Sequence, residues 1–348
     1  MADLAGILKD IVAINSENPP GDCAAIAKYV VGFLRRNTKA KIDIHKLGND
    51  KFNIVAKFGN PKIFINAHLD TVPTSSNWSS PRKLKKKQNK FFGLGTSDVK
   101  GAVSAMLFAL QSYQPRNLLL FFNTDEEHGK NDGLKAFLES KYRGGLKYGI
   151  ATEPTNLNVI ILHNGICNFE ISFLGKSAHA SMPEKGINAI ELCADFIARI
   201  KGYASGLSKR EYCELKPSLN VGVIWGGTKP NMVPDRCILK IGRRFLPKEN
   251  KQKVIREISK FAKGAGVKVT YFAPPLNIEM EDTPLIGLLQ HCTARCNTSV
   301  ANFWSEAALF TQAGLPTVVF GPGNIEQAHA PNEFIDEIEL EKAAQIYK

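Results

Sequence analysis

The alternation of apolar and polar residues divides the chain into helices and strands that follow one another in a regular order. Apolar residues recur at helical spacing over Leu4–Asn15 and in a second helix that ends near Arg36. Short apolar runs of strand length follow, among them NLLLFFN at Asn117–Asn123. Helical patterns at Ala102–Gln111 and Asp132–Tyr142 separate these runs. Strands that alternate with helices predict an α/β domain with a largely parallel, buried sheet.

The order of elements changes in the middle of the chain. A strand at Ile166–Leu174 is followed by a helix, two strands, a second helix and a strand that ends at Phe272. This β-α-β-β-α-β order is typical of a split βαβ unit. We therefore predict an inserted α+β domain over residues 166–275, within a first domain formed by residues 1–165 and 276–348.

Composition and charge exclude several classes of protein. The chain is 44% hydrophobic and 22% charged, which is ordinary for a globular protein, and no apolar run reaches the roughly 20 residues of a membrane span. The formal net charge is +12, but one local basic cluster at Arg82–Lys90 has no nucleic-acid-binding motif beside it. We therefore expect neither a membrane nor a nucleic acid as a partner.

The cysteines and the N-terminus both favour a cytoplasmic protein. The seven cysteines are spread along the chain without a CxxC pair, which indicates free thiols in a reducing compartment. The segment MADLAGILKDIVAIN contains Asp3 and Asp10 and lacks the basic region and cleavage site of a signal peptide.

Four predicted strands of the first domain run into imidazole or carboxylate side chains. In chain order these side chains belong to His68 and Asp70, Glu126 and Glu127, Glu153, and, after a glycine-containing turn, His329. Asp98 lies in the loop GLGTSDVKG, just before a helix. Because ligands bind beyond the carboxyl ends of the strands in open α/β sheets, we expect these side chains to meet at one edge of the sheet.

Two imidazoles and three carboxylates without a thiolate suit zinc, cobalt or manganese. Five such groups exceed the three that one catalytic zinc usually takes, so they predict two ions about 3.5–4 Å apart that share a bridging carboxylate. The side chains of Asp70 and His68 point to the same face, and we expect Asp70 to fix the tautomer of His68. Each residue alone also suits a core histidine or a solvated turn, so the prediction depends on the whole set.

These residues lie in stretches that resemble the zinc metallopeptidase family of acetylornithine deacetylase and succinyl-diaminopimelate desuccinylase. The stretches appear in the family's order and cover nearly the whole chain. They are HLDTVP (68–73), GTSDVKGA (95–102), TDEEHG (124–129), ATEPT (151–155), GKSAHAS (175–181), GGTKPNMVP (226–234) and a last one, FWSEAALF with GPGNIEQAHAPNEF (303–334). The resemblance implies a zinc-peptidase-like catalytic domain, an inserted ferredoxin-like lid or dimerisation domain, and a homodimer formed through that insertion.

The resemblance also implies a role for each candidate residue. His68 and Glu153 would bind one zinc ion and Glu127 and His329 the other, with Asp98 between them and cobalt able to substitute. Glu126 would be the general acid and base, Asp70 the partner of His68, His179 a contact to the reacting carbonyl, and Asn231 and Arg244 substrate-binding residues. Most relatives have Asp where this chain has Gly242, which leaves Arg243 as an alternative to Arg244.

The implied activity is removal of the N-acetyl group from a small amino acid, in the first place N-acetyl-L-ornithine in arginine biosynthesis. FWSEAALF and GPGNIEQAH are similar both to acetylornithine and to acetylcitrulline deacetylases, so acetylcitrulline is an alternative substrate. Desuccinylation of succinyl-diaminopimelate and cleavage of a related N-acyl amino acid or dipeptide are further alternatives. A binding protein with a vestigial site is disfavoured, because the five candidate ligands and Glu126 are all present.

Overall fold

The computed structural model describes residues 2–48, 50–293 and 298–348. The chain divides into two units, each with its own packing. Unit 1 consists of Met1–Ile161, Ile278–Ser299 and Ser305–Lys348, and unit 2 consists of Leu162–Asn277 and Val300–Trp304. The insertion expected at residues 166–275 lies among the residues of unit 2.

The first segment of unit 1, which ends at Ile161, contains both helices and strands. Its elements are α1 (Leu4–Ala13), α2 (Ala24–Asn37), β1 (Lys41–Leu47), β2 (Lys51–Phe58), β3 (Ile63–His68), β4 (Lys85–Lys87), β5 (Lys90–Phe92), α3 (Lys100–Ser112), β6 (Leu118–Asn123), α4 (Asp132–Glu139), β7 (Tyr148–Ala151) and β8 (Val159–His163), which crosses into unit 2. Residues Lys141–Arg143 form a 3-10 turn where the sequence pattern continued the helix to Tyr142.

The remaining elements follow in chain order. They are β9 (Gly165–Leu174), β10 (Ala178–His179), α5 (Ala189–Leu207), β11 (Ser218–Gly226), β12 (Met232–Val233), β13 (Arg236–Phe245), α6 (Lys251–Phe261), β14 (Gly266–Ala273), β15 (Leu276–Asn277), α7 (Leu285–Thr293), β16 (Thr298–Ala301), α8 (Ala307–Gln312), β17 (Thr317–Val319), β18 (Phe334–Asp336) and α9 (Glu337–Ile346). The sequence pattern predicts a helix near Pro284–Ala294, which corresponds to α7, and Ala294 lies outside the described residues.

The main sheet of unit 1 has the strand order β1-β2-β6-β3-β7-β17-β8. The four central strands, β6, β3, β7 and β17, are parallel to one another. The pairs β1–β2, β2–β6 and β17–β8 are antiparallel. The predicted α/β class and the mostly parallel centre of the sheet are confirmed. The antiparallel β1–β2 pair follows from its short connection, which leaves no room for a crossover.

The core of unit 1 explains why the central strands are so apolar. β6 is buried from Leu119 onwards, and its Phe121 stacks on Phe137 of α4 with 4.1 Å between ring centroids. Phe310 of α8 lies edge-on to both rings. A strand that is covered on both faces reads as a continuous apolar run, which is the pattern of NLLLFFN. In the described part of the chain, no helix has the length and apolar character to cross a bilayer.

Unit 2 contains an antiparallel sheet with the strand order β11-β13-β9-β14, against which α5 and α6 pack. Along β9 buried and partly exposed residues alternate, because only one face of the strand meets the helices. Phe169 of β9, Phe196 of α5 and Ile258 of α6 belong to this shared core. Apart from the two-residue strands β10 and β12, the element order is the β-α-β-β-α-β order that the sequence pattern indicates.

Candidate metal centre

Three adjacent parallel strands deliver candidate ligands to the same edge of the main sheet. His68 is the last residue of β3, Glu127 lies four residues after the end of β6, and Glu153 lies two residues after the end of β7. Because β3 lies between β6 and β7, these strand ends are neighbours. Asp98 precedes α3, and His329 lies in the connection between β17 and β18.

Among the described residues, two groups of three side chains each hold ligand atoms within 4.8 Å of one another. One group is His68, Asp98 and Glu153, and the other is Asp98, Glu127 and His329. Asp98 is common to both: its Oδ1 lies 3.1 Å from His68 Nε2, and its Oδ2 lies 3.4 Å from His329 Nε2. Glu127 Oε2 lies 3.2 Å from the same His329 nitrogen. The structure therefore brings together all five candidate ligands, with one carboxylate between the two groups.

Asp70 orients His68 in a different way from the one expected. Its carboxylate Oδ1 lies 3.7 Å from His68 Nδ1, which is beyond hydrogen-bond distance, whereas its backbone oxygen lies 3.0 Å from that nitrogen. A carbonyl oxygen only accepts, so Nδ1 carries the hydrogen and Nε2 faces Asp98. The Asp70 carboxylate instead accepts from the backbone N–H groups of Glu126 and Glu127, at 3.3 and 3.1 Å. The main chain of Asp70, rather than its carboxylate, is therefore within hydrogen-bond distance of His68 Nδ1.

Electrostatics in this cluster reflect many acidic groups at close range. Burial, together with neighbouring carboxylates that include Glu127, raises the pKa of Glu126 and of Glu153 well above the ordinary range. Burial also raises the pKa of Asp98, but the hydrogen bonds from His329 and His68 outweigh it and lower that pKa. Hydrogen bonds to Asp98 and Glu127 raise the pKa of His329 to about 10. A cation at this position would relieve the repulsion among the carboxylates.

The donor set fits divalent metal ions. The Oε1 atom of Glu127 is buried and has no hydrogen-bond partner among the described residues, which is unusual for a buried carboxylate oxygen unless it binds something else. Two imidazoles and three carboxylates are ligands that zinc and related ions accept. His329 adopts a backbone φ of +61°, which is uncommon outside glycine.

Three further polar residues of unit 1 form hydrogen bonds beside the candidate ligands, and none of the three is among the candidate residues predicted from the sequence. Asn18 Nδ2 donates to Asp70 Oδ2 at 2.9 Å. Glu306, 2% exposed, accepts from Asn123 Nδ2 at 2.9 and 3.0 Å at the end of β6. Glu333, 1% exposed, accepts three backbone N–H groups of the loop that carries Asp98. Glu306 and Glu333 lie within the stretches that carry the family resemblance, so their position in a motif was the available signal.

The remaining candidate residues lie in unit 2. His179 ends β10, is exposed, and has its Nδ1 2.7 Å from Ser181 Oγ. The backbone oxygen of Asn231 accepts from the N–H of Ala180, next to His179. Arg244 is partly buried on β13, and burial lowers its pKa.

Arg243 has different surroundings from its neighbour. It is fully buried, and its guanidinium donates to Glu249 and to the Tyr203 hydroxyl. Arg243 is therefore committed to the interior of unit 2, and Arg244 is the better candidate to bind a substrate carboxylate.

The chain is similar to several relatives and solved structures. The chain is 28% identical over 349 residues to N-acetyl-L-citrulline deacetylase of Xanthomonas campestris, covering 96% of this chain and 93% of the relative. It is 32% identical over 308 residues to acetylornithine deacetylase of Pectobacterium atrosepticum, covering 82% and 79%. A metallo-carboxypeptidase from Sulfolobus solfataricus superimposes with a TM-score of 0.81 at 18% identity, covering 100% and 98%, and a dinuclear metal-binding peptidase from Bacillus subtilis with 0.72 at 17%, covering 99% and 95%. The sequence model of peptidase family M20/M25/M40 matches residues 64–348. The chain therefore belongs to the M20/M25/M40 peptidase family of metal-dependent hydrolases.

Proposed function

We propose that this protein is a two-zinc amidohydrolase that removes the N-acetyl group from N-acetyl-L-ornithine. The observation that carries the proposal is Asp98, whose two carboxylate oxygens face His68 and His329 in two ligand groups. A carboxylate that faces two groups of ligands in this way could serve both ions of a two-metal site. Relatives named acetylornithine deacetylase at 32% identity support the choice of reaction.

In this proposal the ligands divide between two ions. His68 and Glu153 would hold one ion and Glu127 and His329 the other, with Asp98 between them. When bound, zinc supplies a Lewis acid for the amide carbonyl and lowers the pKa of a water molecule. Glu126 accepts a proton from the attacking water on its carboxylate and passes it to the leaving amine nitrogen. Acetate and the free amino acid are the products.

The fixed main chain at Asp70 supports the role of Glu126. Asp70 holds the N–H groups of Glu126 and Glu127 on one carboxylate. Asn18 holds that carboxylate in turn, through a buried hydrogen bond of 2.9 Å. The proton-transfer residue and its metal-binding neighbour are therefore anchored to the strand end that carries His68, as precise catalytic geometry requires.

The test of this assignment is Glu126→Gln, which preserves the size of the side chain and removes its basicity. We expect two metal ions per chain, as in the unmodified protein, with turnover lowered about 100-fold or more. Glu139→Gln, at an exposed position on α4, is the matched control. Near-normal turnover in Glu126→Gln would show that another group moves the proton.

The substrate is proposed from the relatives, and N-acetylcitrulline is the second candidate. The N-acetyl-L-citrulline deacetylase of Xanthomonas campestris matches 96% of this chain, and the acetylornithine deacetylase of Vibrio parahaemolyticus matches 93%. A panel of N-acetylornithine, N-acetylcitrulline, succinyl-diaminopimelate and a dipeptide separates the alternatives by kcat/KM. Release of succinate or of two amino acids at the highest rate would exclude a deacetylase.

We assign the substrate contacts to three residues of unit 2. In this proposal His179 binds the reacting carbonyl oxygen, and Asn231 and Arg244 bind the amino-acid carboxylate. The guanidinium of Arg244 suits a carboxylate because its fork of N–H donors matches the two oxygens. The backbone hydrogen bond from Ala180 to Asn231 supports placing His179 and Asn231 in one group.

We also propose that the protein forms a homodimer through unit 2. β11 is the edge strand of its sheet, and Val223, Ile224 and Trp225 are 51%, 53% and 73% exposed. Exposed apolar edge strands pair with further strands unless something protects them. Light scattering should give twice the mass of one chain for the unmodified protein and the mass of one chain for Ile224→Lys. Leu174→Lys, at the exposed end of β9, is the control. A monomer before any substitution would contradict the proposal.

A cytoplasmic location completes the proposal. Cys23, Cys167, Cys193 and Cys237 are buried free thiols, and burial raises the pKa of Cys23 to about 12. Free thiols persist in reducing compartments. Recovery of the activity in a periplasmic or secreted fraction of the source cells would contradict this location.

A further inference from the structure

Glu333 joins the loop that carries Asp98, the ligand common to both groups, to the segment that carries His329. It lies four residues after His329 and is 1% exposed. Its Oε2 accepts from the N–H of Gly95 at 2.7 Å, and its Oε1 accepts from the N–H groups of Ser97 and Asp98 at 2.7 and 2.9 Å. Three backbone donors within four residues therefore converge on one carboxylate, as in an anion-binding nest.

Two other hydrogen bonds tie the same loops together. The N–H of Gly93 donates to the backbone oxygen of Glu333 at 3.0 Å. Ser97 Oγ donates to the backbone oxygen of Asn324 at 3.1 Å. The loop at residues 93–98 is therefore held at both of its ends by the segment that contains His329.

The three N–H groups depend on Glu333 for their hydrogen bonds. They are backbone donors of residues that are themselves buried, so water does not readily replace the carboxylate. A buried donor that loses its partner costs about 1–3 kcal/mol, and the chain relieves this cost by moving. The loop position most affected is Asp98, whose own N–H is one of the three donors.

We propose that Glu333 is a positioning residue. It holds the Asp98 carboxylate in the position where each of the two Asp98 oxygens can bind one of the two metal ions. This inference rests on the proposed two-metal function. A displacement of the Asp98 backbone moves the one ligand that the two groups share, so it weakens both ion sites at once. Displacement of a ligand that belongs to one group only, such as Glu153, would weaken one ion site and not both.

The test is Glu333→Gln, in which the side-chain NH2 group opposes one of the N–H donors. Metal-free protein is titrated with Co2+, and the affinity of both ions and the visible absorption of bound Co2+ are measured. We expect affinity to fall about 10- to 100-fold, the usual effect of removing a partner that orients a metal ligand. We also expect an altered Co2+ spectrum and a lower kcat with little change in KM. Glu326→Gln, at an exposed position in the same connection, is the control.

Hydrogen exchange of metal-free protein provides a readout that does not depend on metal. The amides of Gly95, Ser97 and Asp98 should be protected in the unmodified protein and in Glu326→Gln, and should exchange faster in Glu333→Gln. Unchanged exchange, Co2+ affinity, spectrum and kcat in Glu333→Gln would overturn the proposal. If Glu333→Gln does not fold, Glu333→Asp, whose shorter carboxylate cannot reach all three donors in the same geometry, is measured in the same way.

The two proposals fail in different ways. If the unmodified protein binds no Co2+, the proposed function is wrong, and the inference about metal binding is overturned with it, although exchange would still show whether Glu333 holds the loop. If the unmodified protein binds two ions and Glu333→Gln binds them equally well, only the positioning role is wrong.

Discussion

Replacement of Arg243 by alanine should destabilise unit 2 without removing any proposed substrate contact. The Arg243 guanidinium is fully buried and donates to Glu249 at 3.1 and 3.2 Å and to the Tyr203 hydroxyl at 3.2 Å. Removing one partner of a buried ion pair typically costs about 3–5 kcal/mol, because the other charge stays buried without compensation. Arg210 still contacts Glu249 at 2.9 Å, so we expect a cost near the lower limit, about 3 kcal/mol.

Urea unfolding measures this effect. With a denaturant slope of about 1–3 kcal/mol per molar for a domain of ordinary size, a loss of about 3 kcal/mol lowers the midpoint by about 1–3 M. Circular dichroism and tryptophan fluorescence should be followed together, because a chain with two units need not unfold in one transition. Hydrogen exchange in β13 and α6 identifies the transition that belongs to unit 2.

The matched control is Arg236→Ala, at an exposed position on the same strand. A surface substitution of this kind should change stability by no more than about 0.5 kcal/mol. Equal midpoints for Arg243→Ala and Arg236→Ala would refute the reasoning, since they would show that the buried ion pair contributes nothing measurable. A double variant with Glu249→Ala should lose less than the sum of the two single losses, because the same pair is removed twice.

Three other predictions concern the proposed site. Arg244→Gln should lower kcat/KM by about 10- to 100-fold through loss of a charged hydrogen bond, and a near-normal kcat/KM would remove Arg244 from the substrate site. Chelation should abolish turnover and lower the melting temperature, and added Zn2+ or Co2+ should restore both. The melting temperature responds because an ion present at 100 times its Kd adds about 2.7 kcal/mol to the free energy of unfolding. Full activity in excess chelator would contradict the metal requirement. Burial raises the pKa of Glu306 from its usual value of 4.5 to about 8. Between these two pH values, the native metal-free protein therefore keeps a proton on Glu306 that the unfolded chain has lost. Its stability should therefore fall as pH rises from about 4.5 to about 8, and Glu306→Gln should flatten this part of the profile measured by urea unfolding.

The order of elements and the candidate ligands could be predicted from the sequence because they depend on local patterns. Apolar runs such as Asn117–Asn123 predict buried strands, and the polar residues that follow them must lie at strand ends. His68, Glu127 and Glu153 were found in this way. The family resemblance added the proposed division of the five candidate ligands between two ions.

Short or mostly exposed elements were harder to predict from the sequence. The hairpin formed by β4 and β5 carries too few periodic residues to predict a strand, and the basic cluster at Arg82–Lys90 contains most of that hairpin. β8 differs, because its mostly buried apolar run VIILH has the composition of a buried strand and was nevertheless missed. Their pairing depends on neighbours that are distant in sequence, such as β18 for β5. Secondary structure of this kind is decided by tertiary contacts.

The sequence by itself determined which residues end the central strands, because burial on both faces demands a continuous apolar run and places the first polar side chains at the sheet edge. Only the tertiary structure decided what those side chains contact. The Asp70 backbone rather than its carboxylate orients His68, and Arg243 rather than Arg244 is the buried member of its pair. Glu333 holds the Asp98 loop from 235 residues away along the chain. Hydrogen bonds of this kind depend on distances of a few tenths of an ångström between remote segments, and no local pattern records them.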